Sequence, residues 1–324
     1  MTSRLALFAS WLIAIFSTNT AAQDYPAKPV RLIVPFAAGG PTDRVARDLA
    51  EAIRKPLGAM SVVIDNVGGA GGTLGAAKAA RSAPDGHTLF LHHVGMSTSP
   101  ALYRKLPYDT MGDFEFLGMI NEVPMTLVGR NSLPANNFKE LLTWINANKG
   151  KINLGNAGLG AASHLCGLLF QSALKIDMTT VPYKGTGPAM TDLLGGHVEA
   201  MIASAGLVMT NVRNGRLTVL AVTSRERSPL VPGVPAVSEF VPRFEAQSWV
   251  GILAPAGTPR DRIDRIYKAA LTAIQNPEIR TKFQGINAEP VGSSPDEFAQ
   301  VLKDTEATMS KLINQLGLFG KFES

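Results

Sequence analysis

The sequence predicts an α/β fold of two consecutive units with parallel sheets, followed by a helical tail. Three observations carry this. Apolar runs of strand length alternate with stretches of helical spacing. Strands pass into helices through glycine-rich turns. This grammar occurs twice, over about 100 residues each time, an ordinary domain size.

Val30–Val34 (VRLIV) is a continuous apolar run, suited to a strand covered on both faces. The turn PFAAGGPTD follows. Residues 43–57 then form a helix with Val45, Leu49 and Ile53 on one face, Thr42 as N-cap and Gly58 as stop. Residues 61–65 are the next strand, and VGGAGGTLGAAKAA is a glycine turn entering a small-residue helix. APDG, residues 83–86, is a turn, and residues 87–94 are a third strand. A β-α-β-α-β order implies a parallel sheet with helices on its faces.

The second unit repeats the pattern. NNFKELLTWINAN is a helix with Phe138, Leu141, Leu142 and Ile145 inward. KINLGNAG is a strand and turn, and AASHLCGLLFQSAL a helix with Leu165, Leu168 and Leu169 inward. MTTVPYK is a strand, and GPAMTDLLGG a short helix closed by Gly195 and Gly196. VEAMIASA and LTVLAVT are further strands, and QSWVGILAPAGTP a returning one. Arg260–Gln275 and residues 295–316 are amphipathic helices, the first with Ile263, Ile266, Ala270 and Ile274 at helical spacing.

Composition narrows the function. With 324 residues, 45% hydrophobic and 18% charged, the chain can build a sizeable core and is no disordered tail. The net charge of +5 is spread out, with no run of five basic residues, so nucleic acid is not an expected partner. The single cysteine, Cys166, excludes an intrachain disulfide and cysteine-rich zinc sites. Residues 1–22 read as a secretory signal peptide. Arg4 precedes an apolar stretch too short to span a bilayer comfortably, and small polar residues lead to a cleavage point after Ala22. The expected location is therefore outside the cytoplasm, away from its ATP and nicotinamide pools.

The chemistry lies in turns that expose backbone amides. Ligands of parallel α/β sheets bind beyond the C-terminal strand ends, where helix N-termini point. Phe36-Ala37-Ala38-Gly39-Gly40-Pro41-Thr42-Asp43 is such a turn in the first unit. Asn156-Ala157-Gly158-Leu159-Gly160-Ala161-Ala162-Ser163-His164 is its counterpart in the second, with a hydroxyl from Ser163. Two facing helix starts can grip one carboxylate or phosphate. The loop around His92, His93, Met96 and Ser97 ends another strand. Neighbouring strand residues face opposite sides, so the two histidines are not expected to share a metal. Lys184 and Gly185 end a further strand, where the lysine can counter a distal ligand charge or stay solvated. Ser204, at the end of VEAMIAS, completes the set of ligand candidates.

Enzyme motifs are poor. A GxGxxG frame starting at Gly69 puts Leu74 at the third glycine, no GxSxG surrounds Ser163, and GxxxxGK[ST] and HExxH do not occur. An exported enzyme using Asp43 or His93 as a base stays open, as does a ligand-sensing module read by a membrane sensor.

The segments YPAKPVRLIVPFAAGGPTDRVAR, DNVGGAGGTLGAAKAARSAPDGHTL, PALYRKLPYD, VPYKGTGPAMTDLLGGHVE, NGRLTVLAVTSRERSPLVPGVPAVSE and WVGILAPAGTP resemble the Bug (Bordetella uptake gene) family, the periplasmic solute-binding components of tripartite tricarboxylate transporters. The resemblance implies a two-lobed, type II periplasmic-binding-protein-like fold, each lobe a mixed, mostly parallel sheet flanked by helices and joined by crossing strands. Its lobes would comprise residues 23–122 with 248–324, and residues 123–247. It also implies a small carboxylate held in the cleft by the two glycine-rich loops, delivery to membrane permease subunits, a monomer, and no cofactor, metal or bond chemistry. His93 to Thr98 and Lys184 to Thr186 would face the distal end of the ligand. The first loop carries Ala38 where the family often has proline, which leaves the amides in place.

Overall fold

The computed structural model describes residues 25–320, apart from 229, 230, 243, 245, 287 and 316. The expected signal peptide lies outside the described residues.

The first unit runs β1 (Val30–Val34), α1 (Pro41–Leu57), β2 (Val62–Asn66), a 3-10 turn (Ala70–Gly72), α2 (Thr73–Ala80), β3 (Thr88–His93) and α3 (Gly95–Leu102). Strand β4 (Phe114–Arg130) leads to the second unit: α4 (Phe138–Ala147), β5 (Asn153–Asn156), α5 (Ala162–Leu174), β6 (Thr179–Pro182), α6 (Thr186–Gly195), β7 (Ala200–Ser204), α7 (Ala205–Arg213) and β8 (Leu217–Val222). The chain returns through β9 (Gln247–Pro255) to α8 (Arg260–Gln275), α9 (Pro277–Gly285), β10 (Glu289–Pro290) and α10 (Pro295–Gln315).

In the sheet, β1 pairs in parallel with β2 and β3, and β5 in parallel with β6 and β7. These two parallel cores are joined by antiparallel strands. The first half of β4, through Pro124, pairs with β9, which also lies against β3. From Met125 onward β4 pairs with β7 and β8 instead. One 17-residue strand thus serves both sheet segments, and it changes partners at Pro124 and Met125. Sequence reading assigns no strand to this stretch. Gly118 and Pro124 interrupt its apolar run and argue against a strand interior. In the structure Pro124 falls at the change of partner, and Gly118 lies where a side-chain carbon would come within 2.6 Å of the Ser293 carbonyl oxygen.

The amphipathic helices form as their spacing dictates. Helix α1 buries Val45, Ala46, Leu49, Ile53 and Leu57, and Gly58 ends it in the left-handed conformation at φ 76°. Its N-cap is Gly40; Thr42, expected there, lies inside the first turn because Pro41 starts the helix two residues earlier. Helix α5 buries Leu165 and Phe170, while Leu168 and Leu169 are only half-buried, so its inward face is rotated from the expected one. In α4, Phe138, Leu141 and Ile145 are buried and Leu142 is at the margin. Helices α3 and α7 are unexpected, since serine, threonine, glycine and proline weaken the helical signal of α3, and glycine, threonine, asparagine and valine that of α7.

Candidate ligand site

Four helix starts meet at the change of partner in β4. A cavity of about 40 Å³ is lined by Gly40, Pro41 and Thr42 of α1, Ala161, Ala162 and Ser163 of α5, Thr186 of α6 and Ser204 before α7. Phe36, His93, Val123, Met125, Ala157, Ala203, Ser248 and Val250 complete it. The volume suits a compact group such as a carboxylate with a water molecule. Among the described residues, no Lys, Arg, Asp or Glu lines it. Its polarity comes from hydroxyls, the imidazole of His93 and main-chain amides.

Those amides are left uncapped. The N-cap residues Gly40, Ala161, Gly185 and Ser204 make no side-chain cap hydrogen bond. Away from the cavity, α2, α3 and α8 likewise start without a side-chain cap, whereas α4, α9 and α10 have one. Asn137 accepts from Glu140 N–H, Asn276 from Glu278 N–H, and Ser294 and Glu297 satisfy each other's backbone N–H groups. Uncapped first turns present free N–H donors and the positive end of the helix dipole. An anion between them would serve as their common cap.

The first glycine loop is held from below by Asp43. Its Oδ2 accepts from Gly39 N–H (2.9 Å) and Arg47 Nε (2.9 Å), and its Oδ1 from Arg47 (3.1 Å) and Asn66 Nδ2 (3.0 Å). Four donors use the four lone-pair sites of a carboxylate. Burial pushes the Asp43 carboxyl upward, but the bonds from Arg47, Gly39 and Asn66 outweigh it and hold it below the usual range. Asp43 is therefore a charged brace for the loop, with no lone pair left to take a proton from a substrate.

The second loop is braced in the same way. Asn156 Oδ1 accepts from Gly158 N–H (2.9 Å), and its Nδ2 donates to Val181 O (3.2 Å). His164 Nδ1 accepts from Gly160 N–H (3.1 Å), and Ser163 Oγ from Ala157 N–H (2.9 Å). Because Ser163 accepts from its own loop, its hydroxyl proton can be directed to an acceptor in the cavity.

His92 and His93 do not part to opposite sides as strand alternation predicts. Their ring centroids are 5.0 Å apart, and both rings meet Phe36. His93 stacks on Phe36 at 4.6 Å and 20°. It is the last residue of β3, and the chain bends there into α3, so the pleat no longer sets its direction. His93 Nδ1 accepts from Gly95 N–H (2.8 Å), which places the proton of the neutral ring on Nε2 as a donor. Burial lowers His93 and His164 to about 4, and lowers His92 well below 6.5 with a contribution from His93.

A pH dependence follows from these three rings. They are neutral when folded and protonate readily when unfolded, so the unfolded chain binds more protons between about pH 6.5 and 4. Their contribution is present in full above pH 6.5 and is lost as pH falls toward 4. A calorimetric melting series from pH 7.5 to 4 should show the midpoint falling steeply below pH 6.5, and His164→Gln should flatten that fall. A midpoint indifferent to pH over this range would contradict neutral burial.

Two larger cavities adjoin this one. One, of about 320 Å³, shares Pro41, Val123, Ser204 and Val250 with it and also takes in Ala38, Gly39 and Asp43. The other, of about 490 Å³, shares Phe36 and Ala157 and is also lined by Gly158, Tyr103, Tyr183 and Lys184. Of the residues expected from sequence, Phe36, Gly40, Thr42, His93, Ala161, Ala162, Ser163 and Ser204 meet at the central cavity. Asn156, Gly160 and His164 brace the second loop, and Ala37 packs at Gly185, where a side-chain carbon would lie 3.3 Å from Ala37 Cβ. Met96 and Ser97 are buried in α3 and line none of these three cavities. Val123, Met125, Ser248 and Val250 were not anticipated, because only the pairing of β4 with β9 and, from Met125, with β7 brings them to the cleft.

The second loop also meets the 3-10 turn and Tyr103 of the first unit directly. Tyr103 Oη donates to Leu159 O (3.2 Å), and a side-chain carbon on Gly71 would fall 1.6 Å from that same oxygen.

Two sheet segments, joined by shared strands around a cleft lined with helix starts, define a two-lobed periplasmic binding protein. Residues 45–318 match the tripartite tricarboxylate transporter family receptor, and the chain belongs to that family. Among solved structures, the periplasmic binding protein BugD is 40% identical with a TM-score of 0.87, over 91% of this chain and 99% of its own. MatC from Rhodopseudomonas palustris with bound malate is 34% identical with a TM-score of 0.84, over 89% and 100%. R. palustris Rpa4515 with adipate is 31% identical with a TM-score of 0.87, over 91% and 99%. Among the described residues, no helix is long and apolar enough to cross a membrane.

Proposed function

We propose that this protein captures a small carboxylate in the central cavity, closes its lobes over it and delivers it to the membrane permease subunits of a tripartite transporter. It works as a monomer in the periplasm after its signal peptide is cleaved behind Ala22. The lobes divide at 122/123 and 247/248, close to where β4 changes partners and β9 begins. The observation that carries the reading is the convergence of four helix starts without side-chain caps on one cavity that, among the described residues, no charged side chain lines. A carboxylate caps amides of both lobes at once, which neither lobe offers alone, so binding favours closure. The malate and adipate bound by relatives are carboxylates of this kind. An enzymatic reading through Asp43 lacks support, because its carboxylate is already saturated.

Ser163→Ala removes a hydroxyl donor and leaves Ala157 N–H without its acceptor. A charge-assisted hydrogen bond is worth about 1.5–3 kcal/mol, so affinity should fall roughly 10- to 100-fold while the protein stays folded. Titration calorimetry with the acid that co-purifies, identified by mass spectrometry, provides the check. Unchanged affinity would remove Ser163 from the site.

A further inference from the structure

We infer that the 320 Å³ cavity beside the carboxylate cradle houses an uncharged apolar tail, so that the substrate class is a monocarboxylate with a short alkyl or aryl chain. This rests on the reading of the central cavity as a carboxylate site. The walls of the side cavity include Val45, Val123, Leu207, Val250, Ile286 and Ala288, from α1, β4, α7, β9 and the segment between α9 and β10. An apolar cavity of about 150 Å³ is large enough to bind benzene; this one has about twice that space.

The charged groups at its edge do not favour a second carboxylate. Arg47 is bonded through Nε and a terminal nitrogen to Asp43, and Arg44 is paired with Asp48 at 3.4 Å. Asp43 itself lines the cavity as an anion, and its charge and that of Arg47 offset each other in their paired contact. Its four hydrogen bonds leave no acceptor for a ligand ammonium either. The third cavity differs: Lys184 lines it, is exposed, and forms none of the ion pairs seen among the described residues. A dicarboxylate would place its distal group there. The two cavities therefore make opposite predictions about ligand charge.

Titration calorimetry on the mature chain separates them, using propionate, butyrate, hexanoate and phenylacetate against succinate and adipate. Affinity should rise roughly fourfold for each added methylene of the monocarboxylates, as expected for burying a CH₂ group. Ala288→Phe, which fills the cavity, should cost hexanoate and phenylacetate at least tenfold more than it costs propionate. Leu207→Trp, at a half-buried wall position, should do the same and decides the matter if Ala288→Phe fails to fold by circular dichroism. If succinate or adipate binds more tightly than the monocarboxylates, and Lys184→Ala but neither filling variant removes that advantage, the tail assignment is overturned while the carboxylate reading stands. If no acid of either series binds, both fall.

Discussion

Ala161→Asp is expected to abolish ligand capture while leaving the unliganded protein at least as stable as the parent. Ala161 is the N-cap of α5, with φ −65° and ψ 155°, the extended conformation an N-cap adopts, and it forms no side-chain bond there. Aspartate is among the preferred residues at this position, and replacing alanine by it stabilises a helix by about 0.5–2 kcal/mol. The new carboxylate would accept the first-turn N–H groups and neutralise the dipole end. Those are the donors a ligand carboxylate needs, and a fixed negative charge would occupy the cavity that Ala161 lines. Affinity should fall by at least about 100-fold, with the scale set by the loss of two charge-assisted bonds. Ala161→Ser, a neutral cap, should cost less, roughly tenfold. Thermal melting with and without acid reads both effects: the apo midpoint holds or rises, and the ligand-induced rise disappears. An Ala161→Asp protein that binds normally would show that the amides of α5 do not grip the ligand.

Gly71→Ala is expected to hold the lobes apart. Gly71 has φ 63°, in the left-handed region that costs alanine about 1–2 kcal/mol. The larger effect is across the cleft. Its added carbon would fall 1.6 Å from Leu159 O and 2.9 Å from the Tyr103 hydroxyl, a backbone overlap that no rotamer can relieve. The 3-10 turn of the first unit and the second glycine loop would have to separate. If the closed arrangement drops to about 1% of the population, apparent affinity falls about 100-fold even though every ligand contact is intact. Small-angle scattering should show the wild-type radius of gyration shrinking on adding acid and that of Gly71→Ala unchanged. Normal binding with normal compaction would mean that closure does not pass through this contact.

Much of this arrangement was legible in the sequence because it rests on local signals. Helix α1 follows from Val45, Leu49 and Ile53, its end from Gly58, and both amide-presenting turns from paired or alternating glycines next to a helix start. The glycine turns gave six residues of the central cavity, and strand ends gave His93 and Ser204. What stayed hidden depends on partners distant in the chain. The long strand β4 is apolar on both faces, half-broken by Gly118 and Pro124, and makes sense only against β9, β7 and β8. Its residues Val123 and Met125 therefore could not be placed at the cleft. Helix α3 is written in serine, threonine, glycine and proline, so Met96 and Ser97 read as loop residues at a ligand although the helix buries them. His93 escaped the alternation rule because it stands at the last position of its strand, where the chain turns away.

The central claim is that one carboxylate caps the first turns of α1 and α5 together. A crystal structure of the mature chain grown with saturating acid tests it most directly. The account predicts a carboxylate with oxygens about 2.7–3.1 Å from main-chain nitrogens of both the Gly40–Thr42 and Ala161–Ser163 turns and from Ser163 Oγ. A cavity left empty at saturation, or an acid bound by its tail with its carboxylate turned to solvent, would contradict it.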